Sequence, residues 1–254
     1  MQQFSGKRIF IFALSMCLGC SLMVSISAVA LRPLQETNAL LDKKKNILAA
    51  AQIIDPGESL SEEEVLERFK QVSPIVVDLE TYEVTKGEEA ANFAADEVQM
   101  VAAPENAAQV QTMPTRAQVY EVVRNGQVDM LVLPIEGKGL WSTLKGFIAL
   151  DAQDYSVRGL TYYEHAETPG LGGEVDNPNW KSKWNGRKIF GENGDVRIEV
   201  IKGAAGPASE APYKVDGLSG ATITSRGVTN MLHFWLGEEG FGPFLDEFQE
   251  SRSA

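Results

Sequence analysis

Residues that could do chemistry concentrate in one stretch of this 254-residue chain, Asp216-Gly217-Leu218-Ser219-Gly220-Ala221-Thr222-Ile223-Thr224-Ser225. Small residues there precede a hydroxyl. The run that follows, Ser225 to Leu236, reads as an amphipathic helix with Val228, Met231, Leu232 and Trp235 on one face. Gly220 and Ala221 leave the Thr222 hydroxyl sterically open. A helix start offers free N–H groups and the positive end of its dipole, which suits a phosphate. The same residues also fit a plainer purpose, a helix N-cap made by Ser219, Thr222 or Thr224. Ser-Gly-Ala-Thr by itself does not separate the two.

Other candidate chemistries fare worse. Gly170-Leu171-Gly172-Gly173 is glycine-rich, but the dinucleotide fingerprint fails at Val175, and no phosphate-binding G-x-x-x-x-G-K-[ST] loop occurs. The two cysteines, Cys17 and Cys20, both lie in an apolar run near the N-terminus, so the rest of the chain has neither a disulfide nor a thiolate metal site. In a lone apolar helix, packing accounts for that C-x-x-C better than redox chemistry. His165 and His233 are too few for a zinc site and read as packing or hydrogen-bonding residues. Lys181, Lys183, Arg187 and Lys188 surround Trp180 and Trp184. This cluster reads as a solvated loop, with a site for a phosphate or a partner protein as the alternative.

The elements that must position Thr222 have their own signals. Pro33 to Ala51 shows helical spacing through Leu40, Leu41, Ile47 and Leu48. Ser61-Glu62-Glu63-Glu64 has the form of a capping box opening a helix through Phe69. Ile75 to Leu79 is strand-like. Residues 86–116 show little periodicity and predict an irregular, exposed stretch, an insertion or mobile loop. Val119–Val123 and Val128–Leu133 flank Asn125-Gly126, the favoured two-residue hairpin turn. Phe147–Leu150 and Val157–Tyr163 form a second pair, and Val196–Ile201 is a further alternating run. The sum is an α+β fold, an antiparallel sheet with packed helices, preceded by one transmembrane helix.

That transmembrane helix is Ile9 to Leu31, 23 residues without a charge. As a helix it spans about 34 Å, against a hydrocarbon core of about 30 Å. A signal-peptide core is shorter, about 7–15 residues, so an uncleaved anchor is the preferred reading; Ala28-Val29-Ala30 keeps a cleavage site open. Lys7 and Arg8 hold residues 1–8 in the cytoplasm and send residues 32–254 outward. Arg32 and Lys43-Lys44-Lys45 argue the other way, partly offset by Glu36 and Asp42. All 35 acidic residues but only 21 of the 23 Lys and Arg lie beyond residue 31. A formal charge near −14 there argues against nucleic acid as a partner. Asp55 to Glu105 alone holds 14 acids and 3 bases, which reads as a solvated face, with an acidic docking surface as the alternative.

Ser219-Gly220-Ala221-Thr222 with Asp216 upstream resembles the flavinylation motif of exported FMN-binding domains. The resemblance extends to the C-subunit family of Na+-translocating NADH:quinone oxidoreductases. It rests on Leu41-Asp42-Lys43-Lys44-Lys45-Asn46-Ile47-Leu48, Pro134-Ile135-Glu136-Gly137-Lys138-Gly139-Leu140-Trp141-Ser142, Gly146-Phe147-Ile148-Ala149-Leu150 and Glu167-Thr168-Pro169-Gly170-Leu171-Gly172. It is weakest across 86–116. The resemblance implies FMN esterified through its phosphate to Thr222 by a flavin transferase that uses FAD, with Thr224, Ser225 and Ser219 as other acceptors. It implies that Thr168, Gly170 and Leu171 pack beside the isoalloxazine, that Trp141 neighbours the ring and that Glu167 helps orient the site. Plainer readings are a tight turn, a core tryptophan and a surface carboxylate. It further implies an inner-membrane electron-transfer subunit with its domain on the periplasmic side, beside other subunits of a redox complex that hold the NADH, quinone and sodium sites. Alternatives are the flavoprotein subunit of an Rnf-type complex, a membrane-anchored flavin-binding sensor, and a flavin-free scaffold. A sensor calls for cytoplasmic output segments, and eight residues precede the span.

Overall fold

The computed structural model describes residues 6–55 and 57–253. Met1 to Ser5 of the predicted cytoplasmic segment lie outside the described residues. Two units are distinguished, 1–43 and 44–254. In the first, the apolar run is helical with its large side chains exposed, and it is long and apolar enough to cross a membrane by length and composition. It belongs to α1 (Gly6–Ala50), which includes Pro33. Proline removes one ladder hydrogen bond without ending this helix, so the predicted span and the predicted 33–51 helix are one element.

The second unit opens with the last turns of α1 and with α2 (Glu62–Phe69). The predicted capping box is complete: the Ser61 hydroxyl accepts from the Glu64 N–H while the Glu64 carboxylate accepts from the Ser61 N–H. Strands β1 (Val72–Asp78) and β2 (Val84–Thr85), helix α3 (Glu88–Ala91) and the small hairpin β3 (Met100–Ala102) and β4 (Thr112–Pro114) follow. Then come β5 (Arg116–Arg124), β6 (Gln127–Lys138), β7 (Thr143–Asp151) and β8 (Val157–Glu164). The main sheet is antiparallel throughout, in the order β2-β1-β5-β6-β7-β8. At the β5–β6 turn, Asn125 and Gly126 have φ of 54° and 78°, so both take the left-handed backbone that a two-residue hairpin requires.

Because strand side chains alternate, the sheet carries two apolar faces. One, including Ile75, Val119, Leu131, Leu133, Leu144 and Ile148, joins the core that also contains Val228, Met231, Leu232 and Trp235. Those four residues belong to α5 (Thr222–Trp235), and Phe244 and Leu245 join them from α6 (Gly242–Ser253). The short helix α4 (Pro178–Lys181) contributes Trp180 to the same core. The other face carries Val76, Tyr120, Val132, Phe147 and Ala149, all buried. The end of α1 packs here: Thr161 donates to the Asn46 carbonyl at 3.1 Å, and Ile47 and Leu48 are buried. Burying a side chain such as Phe147 is worth about 2–3 kcal/mol. Its ring lies between Tyr120 and Tyr163, with centroids 6.1 and 5.3 Å away.

Three expectations need correction. Residues 86–116 are not a featureless exposed stretch: Ala108, Val110 and Met113 are buried, and the Ala108 carbonyl accepts from the Lys138 N–H at 2.9 Å. Alanine-rich segments give no period to read, yet the short side chains let the backbone dock. Val196–Ile201 does not enter the main sheet; only β9 (Glu199–Val200) is strand, paired in parallel with β10 (Lys214–Val215). Lastly, α5 starts at Thr222 rather than Ser225, and α6 follows it.

Gly159 marks the tightest approach of α1 to the sheet. A Cβ there would lie 2.2 Å from the Ala50 carbonyl oxygen, a backbone atom that cannot swing aside. Gly159→Ala is therefore expected to lift the end of α1 and cost about 2–4 kcal/mol. The check is thermal unfolding of the detergent-purified chain against wild type.

Candidate functional site

Where Thr222 stands follows from how α5 lies on β6. Met231 presses on Gly137, Gly227 faces the Lys138 carbonyl, and the Trp235 indole N–H donates to the Glu136 carbonyl at 2.6 Å. The helix thus runs antiparallel to the strand. Its first turn reaches just past Lys138, beside the loop 139–142 that turns β6 into β7. Thr222, Ile223 and Thr224 form that turn. Ala221 stands at the N-cap with φ −127° and makes no side-chain capping bond, so the N-cap reading of Ser219, Thr222 or Thr224 does not hold. The four candidate hydroxyls separate sharply. Thr222 and Ser219 are exposed. Thr224 is fully buried and donates to the Glu167 carboxylate at 2.7 Å, and Ser225 is buried and accepts from the Leu218 N–H at 3.1 Å.

Glu167 is only 5% exposed, so it is no surface carboxylate. Its oxygens accept from the N–H groups of Leu140 at 3.2 Å, Trp141 at 2.9 Å and Ser142 at 3.0 Å, and from the Thr224 hydroxyl. Burial alone would push its pKa up. The Thr224 hydroxyl and the three amides outweigh that and hold the carboxyl below its ordinary value near 4.5. One side chain therefore ties three segments together: its own loop, the β6–β7 loop and the first turn of α5. Gly172 closes the pocket around it, since a Cβ there would lie 2.5 Å from the carboxylate and 2.7 Å from the Thr224 hydroxyl.

The three tied segments each expose apolar side chains. Trp141 is 68% exposed and so is not a core tryptophan, and Leu140, Leu171 and Ile223 are exposed as well. Leu171 reaches toward Gly220, where a Cβ would come within 2.8 Å of its side chain. Thr168 to Gly172 is also a tight turn: the Leu171 and Gly173 N–H groups donate to the Thr168 carbonyl, and Gly170 has φ 76°. The plainer reading of that loop therefore holds as a description of its backbone. Thr222 also borders a cavity of about 550 Å³, lined by 199–203, 217–220 and the α5 residues Thr222, Ser225, Arg226 and Thr229.

Asp216 secures the motif from upstream. Its carbonyl accepts from the Trp180 indole, and its carboxylate accepts from the Ala205 N–H at 2.8 Å and pairs with Lys183. The basic cluster consequently disperses. Arg187 is buried and donates to the carbonyls of Lys183, Gly206 and Ala211, while Lys181 pairs with Asp176. His165 bonds Asp176 at 3.0 Å and His233 bonds the Ile198 carbonyl at 2.8 Å, both as hydrogen-bonding residues. Glu167's centrality had no clear signal beyond its place before Thr168-Pro169-Gly170. Its partners lie 25 to 57 residues away in sequence.

Residues 139–237 match the family of FMN-binding domains. The chain is 43% identical to the C-subunit of the Na(+)-translocating NADH-quinone reductase of Yersinia pestis, over 96% of its own length and 93% of that protein. With the corresponding Pseudomonas aeruginosa protein it shares 42% identity over 99% of both chains. The chain belongs to the C-subunit family of these reductases. The crystal structure of Shewanella oneidensis NqrC matches it with TM-score 0.72 and 31% identity, covering 82% of this chain and 96% of that one. A second crystal structure, of the C-subunit from Parabacteroides distasonis, matches with TM-score 0.63 and 28% identity over 85% of this chain and 96% of that one. The resemblance read from the motifs and the α+β antiparallel fold both hold. The family match begins at Gly139, the residue that opens the β6–β7 loop, and ends at Gly237, just past α5.

Since the Glu167 pKa is depressed on folding, its contribution to stability is complete above about pH 4.5 and is lost as the pH falls through the folded value. Glu167→Gln is expected to destabilise the chain by about 1–3 kcal/mol near neutral pH. The gap from wild type should narrow below pH 4.5. Urea unfolding of both across pH 3–7 checks the sign.

Proposed function

We propose that this member of the C-subunit family carries FMN esterified through its phosphate to Thr222 and serves as an electron-transfer subunit of a Na+-translocating NADH-quinone reductase. The observation that carries the acceptor assignment is the separation of the hydroxyls. Thr222 is exposed at the first residue of an uncapped helix and borders the 550 Å³ cavity. Thr224 and Ser225 are buried and already hydrogen-bonded. Ser219 is exposed but precedes the helix by three residues.

The residues present suit FMN. Free N–H groups at the start of α5 and the nearby Arg226 favour a phosphate. Leu140, Trp141, Leu171 and Ile223 offer apolar surface to a flat ring, and exposed apolar patches of this kind mark binding sites. Bound FMN supplies one- and two-electron redox chemistry, and a phosphoester leaves its ring system intact. The chain's own part is to tether it, to shield one side of it with Trp141, Leu171 and Thr168-Pro169-Gly170, and to fix charge beside it. A flavin transferase is its maturation partner, and the other subunits of the reductase are its electron partners.

For the membrane arrangement we read residues 1–8 as cytoplasmic, 9–31 as a single inner-membrane span and 32–254 as the periplasmic FMN-binding domain. The uncharged, exposed apolar helix and the two basic residues before it support that reading.

Expression with a flavin transferase, followed by a denaturing gel, tests the tether. Flavin fluorescence is expected in the wild-type band and in Thr224→Ala, and is expected to vanish in Thr222→Ala. A dark wild-type band, with the transferase active on another substrate, sinks the covalent reading. Fluorescence that survives Thr222→Ala moves the acceptor elsewhere.

A further inference from the structure

A buried carboxylate without a cation partner is destabilising unless other donors satisfy it. Glu167 is satisfied by backbone amides and one buried hydroxyl, and among the described residues no lysine, arginine or histidine side chain donates to it. The donors are not local. The amides of Leu140, Trp141 and Ser142 come from the β6–β7 loop, and the hydroxyl of Thr224 comes from the first turn of α5. The Ser142 hydroxyl adds a contact at 3.3 Å and also accepts from the Ala166 N–H, so the two loops are stitched twice. An apolar side chain in its place would leave the three loop amides and the buried Thr224 hydroxyl without their acceptor.

We propose that Glu167 is the positioning residue of the flavin site, a clamp that fixes the Trp141 loop against the turn bearing Thr222 and holds one negative charge there. The proposal rests on the covalent-FMN reading above. Two consequences follow from the geometry. First, the clamp commits the Thr224 hydroxyl as a donor, which leaves Thr222 as the open hydroxyl of that turn. Second, the charge is bonded to a side chain two residues from the acceptor and stands one short loop from Leu171, so an isoalloxazine packed against Leu171 and Trp141 would lie in the field of a fixed anion. Adding electrons to a flavin beside an anion is disfavoured, which lowers the potential. Glu167 touches neither the acceptor hydroxyl nor a reacting atom, so its role is positioning and electrostatic, not catalytic.

Glu167→Gln keeps the shape and removes the charge. Its side-chain NH2 would face at least one of the N–H groups that the carboxylate now receives, so the loop loses an acceptor. Val76→Ala, on the opposite face of the sheet, serves as a control for general loss of stability. Two measurements on the full chain in detergent decide the matter. In the flavin-free chain, hydrogen exchange at the Leu140, Trp141 and Ser142 amides should quicken at least tenfold in Glu167→Gln and stay at the wild-type rate in Val76→Ala. In the flavinylated chain, the two-electron equilibrium should shift at least tenfold toward the reduced form in Glu167→Gln, a rise of about 30 mV. Val76→Ala should leave it in place. Wild-type protection of those amides in Glu167→Gln overturns the clamp, and an unmoved potential overturns its electrostatic role. If the wild-type chain takes up no flavin, the covalent reading fails instead, and the exchange measurement alone then judges the clamp.

Discussion

A single buried anion, the Glu167 carboxylate, organises the candidate site. Glu167 is desolvated, yet it remains ionised because three amides and a hydroxyl replace its water. Those donors come from the β6–β7 loop and the first turn of α5, which the carboxylate joins to its own loop. Charge-assisted hydrogen bonds are about twice as strong as neutral ones, and several converge on one side chain here.

The sheet explains why that anion stands where it does. Strand β6 runs from Gln127 to Lys138, its antiparallel pairing with β7 is continuous from Met130 to Lys138, and α5 lies along the strand's last residues. Glycines at 137 and 227 let helix and strand approach to backbone contact. The helix start and the β6–β7 loop therefore meet at one end of the sheet, and β8 leads directly into the loop that brings Glu167 between them. The other face, closed by the end of α1 at Gly159 and Thr161, has no part in the site. It gives the sheet a second buried face and hence the rigidity that a precise site needs.

Function in the C-subunit family then divides between two physical demands. Under the proposed reading, attachment of the flavin calls for an open hydroxyl, and Thr222 at the helix start is exposed. Electron transfer needs a ring held in one place at one potential, which calls for packing and fixed charge rather than further chemistry. In the proposed reading Thr222 answers the first demand and the residues around Glu167 answer the second. The acidic excess beyond residue 31, strongest between Asp55 and Glu105, lies in a stretch that precedes every segment of the site.

The sequence by itself determined the local elements and the motif. The capping box at Ser61, the Asn125-Gly126 hairpin and the buried face of α5 were legible because each depends on neighbours within a few residues. The apolar span was legible because it depends on composition alone. The residues 86–116 and 196–201 were misread for the opposite reason. Their backbone is held by distant partners, such as Lys138 for Ala108 and Tyr213 for Glu199, that no period announces. The choice among the four hydroxyls was likewise undecided by Ser-Gly-Ala-Thr and its flanks. Only the tertiary structure buries Thr224 against Glu167, 57 residues away, and leaves Thr222 in the open. Spacing along a chain says which side chains share a turn, whereas burial and hydrogen bonding across a fold say which of them is still free.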